Sequence, residues 1–311
     1  MTPKSSLSAL ITQVLVVCVF LSATTFALVA DEIRYDWGTA RELSPGIRYT
    51  RYEKSDPRMI VANCLRIDLK TRGLKFRTTP RRGEWVEGKA ETNRQTVRNF
   101  IRRSQMTDRK LVVAVNGDSF APWPAPFDRE DPTDVGGLAV ADGEMVSRPA
   151  GTPSLVVRKS GKVTIETVTM DQDLSDIETA ISGFELCLAK GEVPPSGEDL
   201  NPRTGFGLSQ DAQFLYLLAI DGRQPASAGA TIGDVGRLLK EFGSHTGINM
   251  DGGGSTTMAW WDASTSGEDK CKLLSSPVGS GKTYDPAKTK EPFAPSERAN
   301  GNNFGVYYAT N

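Results

Sequence analysis

Residues 213–254 read QFLYLLAIDGRQPASAGATIGDVGRLLKEFGSHTGINMDGGG, and the fold turns on this stretch. The apolar run at 213–221 has the length and composition of a strand and ends on Asp221. A helix follows at 231–242, because Ile232, Val235, Leu238, Leu239 and Phe242 recur on one face at the helical period. Gly243 stands just where a helix C-terminus favours glycine. A short strand at 247–251 then runs into three consecutive glycines. Strand, helix and strand thus deliver two carboxylates, Asp221 and Asp251, to glycine-rich ends.

The same pattern recurs upstream. The continuous apolar run Leu111-Val112-Val113-Ala114-Val115 reads as a buried strand and leads into Asn116-Gly117-Asp118. Further strands are expected at 46–51, 59–69, 73–79, 138–140, 154–158, 163–168, 180–184 and 303–308. Val97, Phe100 and Ile101 mark a helix at 96–105. Residues 260–298 are rich in Ser, Gly, Pro and Lys and read as long loops. Many strands with few intervening helices predict an α+β fold, with a mixed β-sheet core and a few packed helices. No internal repeat and no long linker interrupt 31–311, so a single domain is expected there.

Composition narrows the function. A net charge of −1 over 311 residues leaves no electrostatic footprint for nucleic acid. The basic stretches at 77–82 and 94–110 are broken by acidic and polar residues and read as solvated faces. Lys4, an uncharged and mostly apolar run at 7–29, and small residues at Ala27 and Ala30 read as a secretory signal peptide over 1–30. The alternative is an uncleaved anchor, the only membrane attachment expected. Either reading places the rest of the chain outside the cytoplasm, secreted, periplasmic or in the cell envelope. Cys64, Cys187 and Cys271 lie beyond that segment and allow at most one disulfide, with its pairing open.

Asp118, Asp221 and Asp251 each sit where an apolar strand gives way to glycine. A buried strand carries its last residue to a fixed point, and glycine lets the backbone turn sharply beside a ligand. Asp-Gly is also ordinary turn chemistry, but a plain turn has no need of Gly252, Gly253 and Gly254 together. Ser255, Thr256 and Thr257 suit either an anion cradle or a helix N-cap. Guanidinium groups match phosphate bidentately, which makes Arg203, Arg223 and Arg298 the cationic candidates. Hard oxygen donors would also suit calcium or magnesium among the carboxylates, so a divalent cation stays open. Gly279-Ser280-Gly281-Lys282-Thr283 fails as a phosphate-binding P-loop, because Ser276 replaces its first glycine and Pro286 blocks the helix. His245 is the single histidine, and no Gly-x-Ser-x-Gly elbow accompanies it, which argues against a Ser-His-Asp hydrolase.

Taken together these motifs resemble the phosphodiester glycosidase family, which includes bacterial exported proteins linked to exopolysaccharide. The strongest match is Ile248-Asn249-Met250-Asp251-Gly252-Gly253-Gly254-Ser255-Thr256-Thr257-Met258. Val115-Asn116-Gly117-Asp118-Ser119-Phe120, Pro202-Arg203-Thr204, Asp221-Gly222-Arg223 and Glu297-Arg298 resemble the family's other motifs in order, over about residues 43–308. Ser119 before Phe120, and Ala299 in place of the usual valine, are departures. The resemblance implies hydrolysis of a sugar-1-phosphodiester, releasing a sugar and a phosphomonoester from a sugar-phosphate or glycan substrate. It implies Asp251 and Asp118 as the acid, base or nucleophile pair, with Asp221 and Arg223 bracing the site. Arg203 and Arg298 would hold the phosphate, assisted by the amides of Gly253 and Gly254. Asn116 and Gly252 would belong to the binding site, and Ser255 or Thr256 would touch phosphate or sugar. The rival readings are a non-catalytic module for phosphorylated or acidic glycans, and a structural envelope protein.

Overall fold

The apolar run becomes the strand Phe214–Ile220, at the centre of a seven-stranded sheet. In order, that sheet comprises Arg41–Ser44, Ile47–Lys54, Ile60–Asp68, Phe214–Ile220, Arg203–Leu208, Thr246–Asn249 and Glu185–Leu188. Leu215, Leu217 and Ala219 face one core, while Tyr216, Leu218 and Ile220 face another. Both faces are covered, so a period-two strand reads as unbroken apolar sequence. The computed structural model describes residues 34–309 except 123–127, 268, 281–284, 286 and 292. The expected signal or anchor at 1–30, and part of the loop at 279–283, lie outside the described residues.

One core joins this sheet to two five-stranded sheets. One is ordered Cys271–Leu273, Met258–Trp261, Leu111–Asn116, Asn303–Tyr308 and Leu74–Thr78. The other is ordered Glu144–Ser147, Ala139–Ala141, Ile177–Ser182, Pro153–Arg158 and Val163–Thr167. Leu217, Phe206, Val115, Phe304, Leu155 and Ile181 meet between them. Helix α1, Val97–Ser104, packs Val97, Phe100 and Ile101 on Ala114 and Ala259. Helix α2, Ile232–Phe242, covers the other face of the large sheet with Val235, Leu238, Leu239 and Phe242. Thr231 and Asp234 close its start as a capping box, and Gly243 ends it at φ 114°. Residues Ile33–Asn311 form one compact unit.

Several expectations need correction. Every pairing between the named strands is antiparallel, so the sheets are not mixed. Strand accounts for 42% of the structure and helix for 8%, so it is mostly β with two helices rather than α+β. Part of the stretch read as loop, 260–298, belongs to a hairpin, Met258–Trp261 with Cys271–Leu273. Its strands are short and border polar residues, so period alone did not reveal them. Cys64, Cys187 and Cys271 are all free and buried, so no disulfide joins them. Among the described residues no helix is long and apolar enough to cross a membrane.

Candidate active site

The sheet register brings several strand ends to one place. Arg203 opens its strand opposite Ile220, the last residue of the central strand. Gly205 pairs with Asn249, the last residue before the Met250-Asp251 turn. Asn116 then ties the parts together. Its amide donates to the Asp251 carbonyl at 2.7 Å, and its Oδ1 accepts from the Thr204 hydroxyl at 2.8 Å and the Thr257 N–H at 3.1 Å. Asn116, anticipated at the binding site, is a fully buried clamp and does not line the cavity described below.

A cavity of about 680 Å³ opens at this junction. Its wall includes Asp251, Gly252, Gly253, Gly254, Arg203, Arg223 and Arg298, all anticipated from sequence. It also includes Glu185, Asn249, Asn201, Ser119, Phe120, Phe184, Ile232 and Met250, which had not been singled out as site residues. Asn249 donates to Glu185 Oε1 at 3.1 Å, while its own Oδ1 is buried without a hydrogen-bond partner. Such an acceptor beside a carboxylate suits the hydroxyls of a polar ligand.

Burial, against the opposing hydrogen bond from Ser255 and the nearby charge of Arg298, pushes the Asp251 carboxyl up to about 6. Burial also lowers all three arginines from their ordinary values. Arg298 donates to Ser280 Oγ at 2.9 Å and Ser255 Oγ at 3.2 Å. Arg223 donates to Asn201 Oδ1 at 2.7 Å, and Arg203 to the carbonyls of Ala230 at 3.1 Å and Asp199 at 2.9 Å. Ser255 thus links Asp251 to Arg298. Thr256 is buried against Thr204 at 3.3 Å, away from the cavity wall.

Two of the glycine amides are engaged within the protein, Gly253 among the pair expected to cradle the phosphate. The Gly253 N–H donates to the Pro202 carbonyl at 2.8 Å, and the Gly252 N–H turns back to Asp251. What the triplet supplies is room. A Cβ at Gly254 would lie 2.4 Å from Arg298 Nη2 and 2.2 Å from the Gly279 carbonyl. Gly253 adopts φ +62° and lies against Arg223. Residues 253–255 form one turn of 3₁₀ helix with no side-chain cap, so the N-cap alternative for Ser255, Thr256 and Thr257 does not apply.

Two of the three carboxylates singled out as catalytic do not line the cavity. Asp118 is buried beneath it, accepting from the Ser182 N–H and from the Asn302 amide at 2.5 Å. Burial raises its pKa well above the usual range, and the charge of Asp251 adds to that. Asp221 turns elsewhere, accepting from the Ser276 N–H at 2.8 Å and the Asn63 amide at 3.4 Å, and burial pushes it up to about 6. Each side chain meets donors from distant segments, Ser182 and Asn302 for Asp118, and Ser276, Asn63 and, at 3.9 Å, the Arg51 guanidinium for Asp221. The divalent cation left open by the sequence gains no support from the side chains. Among the described residues no three His, Cys, Asp or Glu side chains gather in a metal-binding group.

Known structures share this architecture. The catalytic domain of zebrafish N-acetylglucosamine-1-phosphodiester alpha-N-acetylglucosaminidase, auto-inhibited by its pro-peptide, aligns with a TM-score of 0.59 and 19% identity, over 86% of this chain and 85% of that one. A hypothetical protein from Synechocystis aligns with a TM-score of 0.57 and 12% identity, over 85% of this chain and 62% of that one. Both likenesses concern the fold. A search of curated proteins by sequence finds no match. The family model of the phosphodiester glycosidases matches residues 109–307, which contain all three arginines and the glycine triplet, and the chain belongs to that family.

Proposed function

We propose that the chain hydrolyses the glycosidic bond of a sugar-1-phosphodiester, with Asp251 as the general base. The carrying observation is a desolvated carboxyl, pushed up to about 6, in one cavity with three arginines. Guanidinium groups hold a phosphate and take up the charge that grows on it as the bond to the anomeric carbon breaks. Phosphate is a good leaving group once its charge is anchored, so activating water matters more than protonating the departing oxygen. A carboxyl titrating near 6 is mostly ionised at neutral pH and can accept a proton from that water. Glu185 and the unpartnered Asn249 Oδ1 would accept hydrogen bonds from sugar hydroxyls.

Export rests on the sequence at 1–30, and the composition there makes an extracellular or envelope glycan the substrate we favour. The direct test is incubation with a panel of sugar-1-phosphodiesters, monitored for released reducing sugar. Sugar release that disappears in Asp251→Asn supports the reading. Saturable binding without any release would instead favour a glycan-binding module.

A further inference from the structure

The three arginines are arranged along the glycine triplet, one beside each residue. A Cβ at Gly252 would sit 3.7 Å from Arg203 Cδ, one at Gly253 3.3 Å from Arg223 Nη2, and one at Gly254 2.4 Å from Arg298 Nη2. Consecutive Cα atoms are about 3.8 Å apart, so the row follows up to about 7 Å of backbone. Arg223 stands between the other two, and its charge is felt by both Arg203 and Arg298. A row of that length has room for two linked phosphates.

Charge singles out Arg223, the middle of the row, as the place for an anion. Arg298 faces Asp251, which offsets part of its charge. Arg203 and Arg223 donate to neutral oxygens, those of Ala230, Asp199 and Asn201. Among the described residues neither arginine forms an ion pair with a carboxylate. The charges of Asp199 and Glu185 act on Arg203, so Arg223 is the partly buried cation on which no carboxylate acts among the described residues, and it is costly unless an anion joins it.

We infer that Arg203, Arg223 and Arg298 form a cradle for two linked phosphates, and that glycosyl diphosphates are the preferred substrates. The chemistry rests on the hydrolase reading above. Water adds to the anomeric carbon as the bond from that carbon to the bridging oxygen breaks. The bonding pair stays on that oxygen, and the proton shed by water passes through Asp251 to solvent or to the departing group. A free sugar and a diphosphate monoester result.

Calorimetric titration of the full chain with inorganic phosphate and with pyrophosphate, at matched pH and ionic strength, tests the cradle. Pyrophosphate should bind at least about tenfold more tightly, and Arg223→Gln should remove most of that ratio. Arg203→Gln provides the same reading should Arg223→Gln fail to fold. Equal affinities in the wild type, or a ratio unchanged in a folded variant, would overturn the inference. Released glucose from UDP-glucose and from glucose 1-(methyl phosphate) separates it from the hydrolase reading. Turnover of the methyl phosphodiester with no preference for pyrophosphate sinks the cradle and leaves the hydrolase standing. Selective pyrophosphate binding with no reducing sugar released from any compound of the panel keeps the cradle and sinks the hydrolase.

Discussion

Gly254 and Arg298 share a space that only one of them can fill: a Cβ on the glycine would stand 2.4 Å from the guanidinium. The Gly279 carbonyl, 2.2 Å away on the other side, is backbone and cannot swing clear. Gly254→Ala should therefore displace Arg298 and cost about 1–3 kcal/mol in stability, the usual range for overpacking. Activity against a sugar-1-phosphodiester should fall by about a hundredfold or more, since misplacing a positioning group by about 1 Å has that effect. Wild-type turnover in Gly254→Ala would show that Arg298 does not need its present position.

Burial pushes the Asp251 carboxyl up to about 6, and this has a consequence for stability as well as rate. Below about pH 4 the carboxyl is neutral in both folded and unfolded chains, and the shift has no effect. As pH rises from about 4 to 6 the unfolded chain ionises first, so the folded state loses stability, on the order of 1–3 kcal/mol. Asp251→Asn removes that loss. The variant should melt higher than wild type at pH 7, with the gap closing toward pH 4, while turnover falls by about 10²–10⁴. A gap that stays constant across that range would contradict the buried-carboxyl account.

The role of Asp251 predicts the shape of the rate profile. As a general base it must be ionised, so kcat/KM should rise with pH around a midpoint near 6 and then level off. A profile that falls through the same midpoint would assign it the acid role instead.

The Asn116 side chain makes three hydrogen bonds inside the structure and does not line the cavity. Asn116→Ala should leave the Asp251 carbonyl and the Thr257 N–H unpaired, each at a cost of about 1–3 kcal/mol. Denaturant unfolding should show this loss directly. If stability is unchanged and only KM rises, Asn116 touches substrate after all.

Glu185 is exposed at the cavity wall and is held by the Asn249 amide. Glu185→Gln should raise KM about tenfold for a sugar that retains its hydroxyls, with little change in kcat. The penalty should shrink for the deoxy sugar lacking the hydroxyl that it reads. A uniform penalty across deoxy analogues would remove Glu185 from sugar recognition.

Much of the fold was legible because local chemistry agreed with it. The helix at Ile232–Phe242 had its apolar stripe, its Thr231 start and its Gly243 stop within one short stretch. The strand Phe214–Ile220 was recognisable as apolar along its whole length. Strands such as Glu185–Leu188 and Cys271–Leu273 were not, since pairing with distant strands makes them strands. Glu185 was missed for this reason. It reaches the cavity by pairing with Asn249, 64 residues along the chain, and Gly183 permits that approach because a Cβ there would lie 2.5 Å from the Asn249 carbonyl.

By itself, the sequence determined which residue types were available: carboxylates at the ends of apolar runs, three glycines in succession, and arginines able to meet a phosphate. Tertiary structure alone decided which of them share a cavity. Asp118, Asp221 and Asp251 look alike in their local motifs, yet only Asp251 keeps a face on the cavity, while the other two spend their oxygens on Ser182, Asn302, Ser276 and Asn63. The reason is physical. A strand end is set by nearby residues, but where its side chain finds hydrogen-bond donors depends on loops far away in the chain.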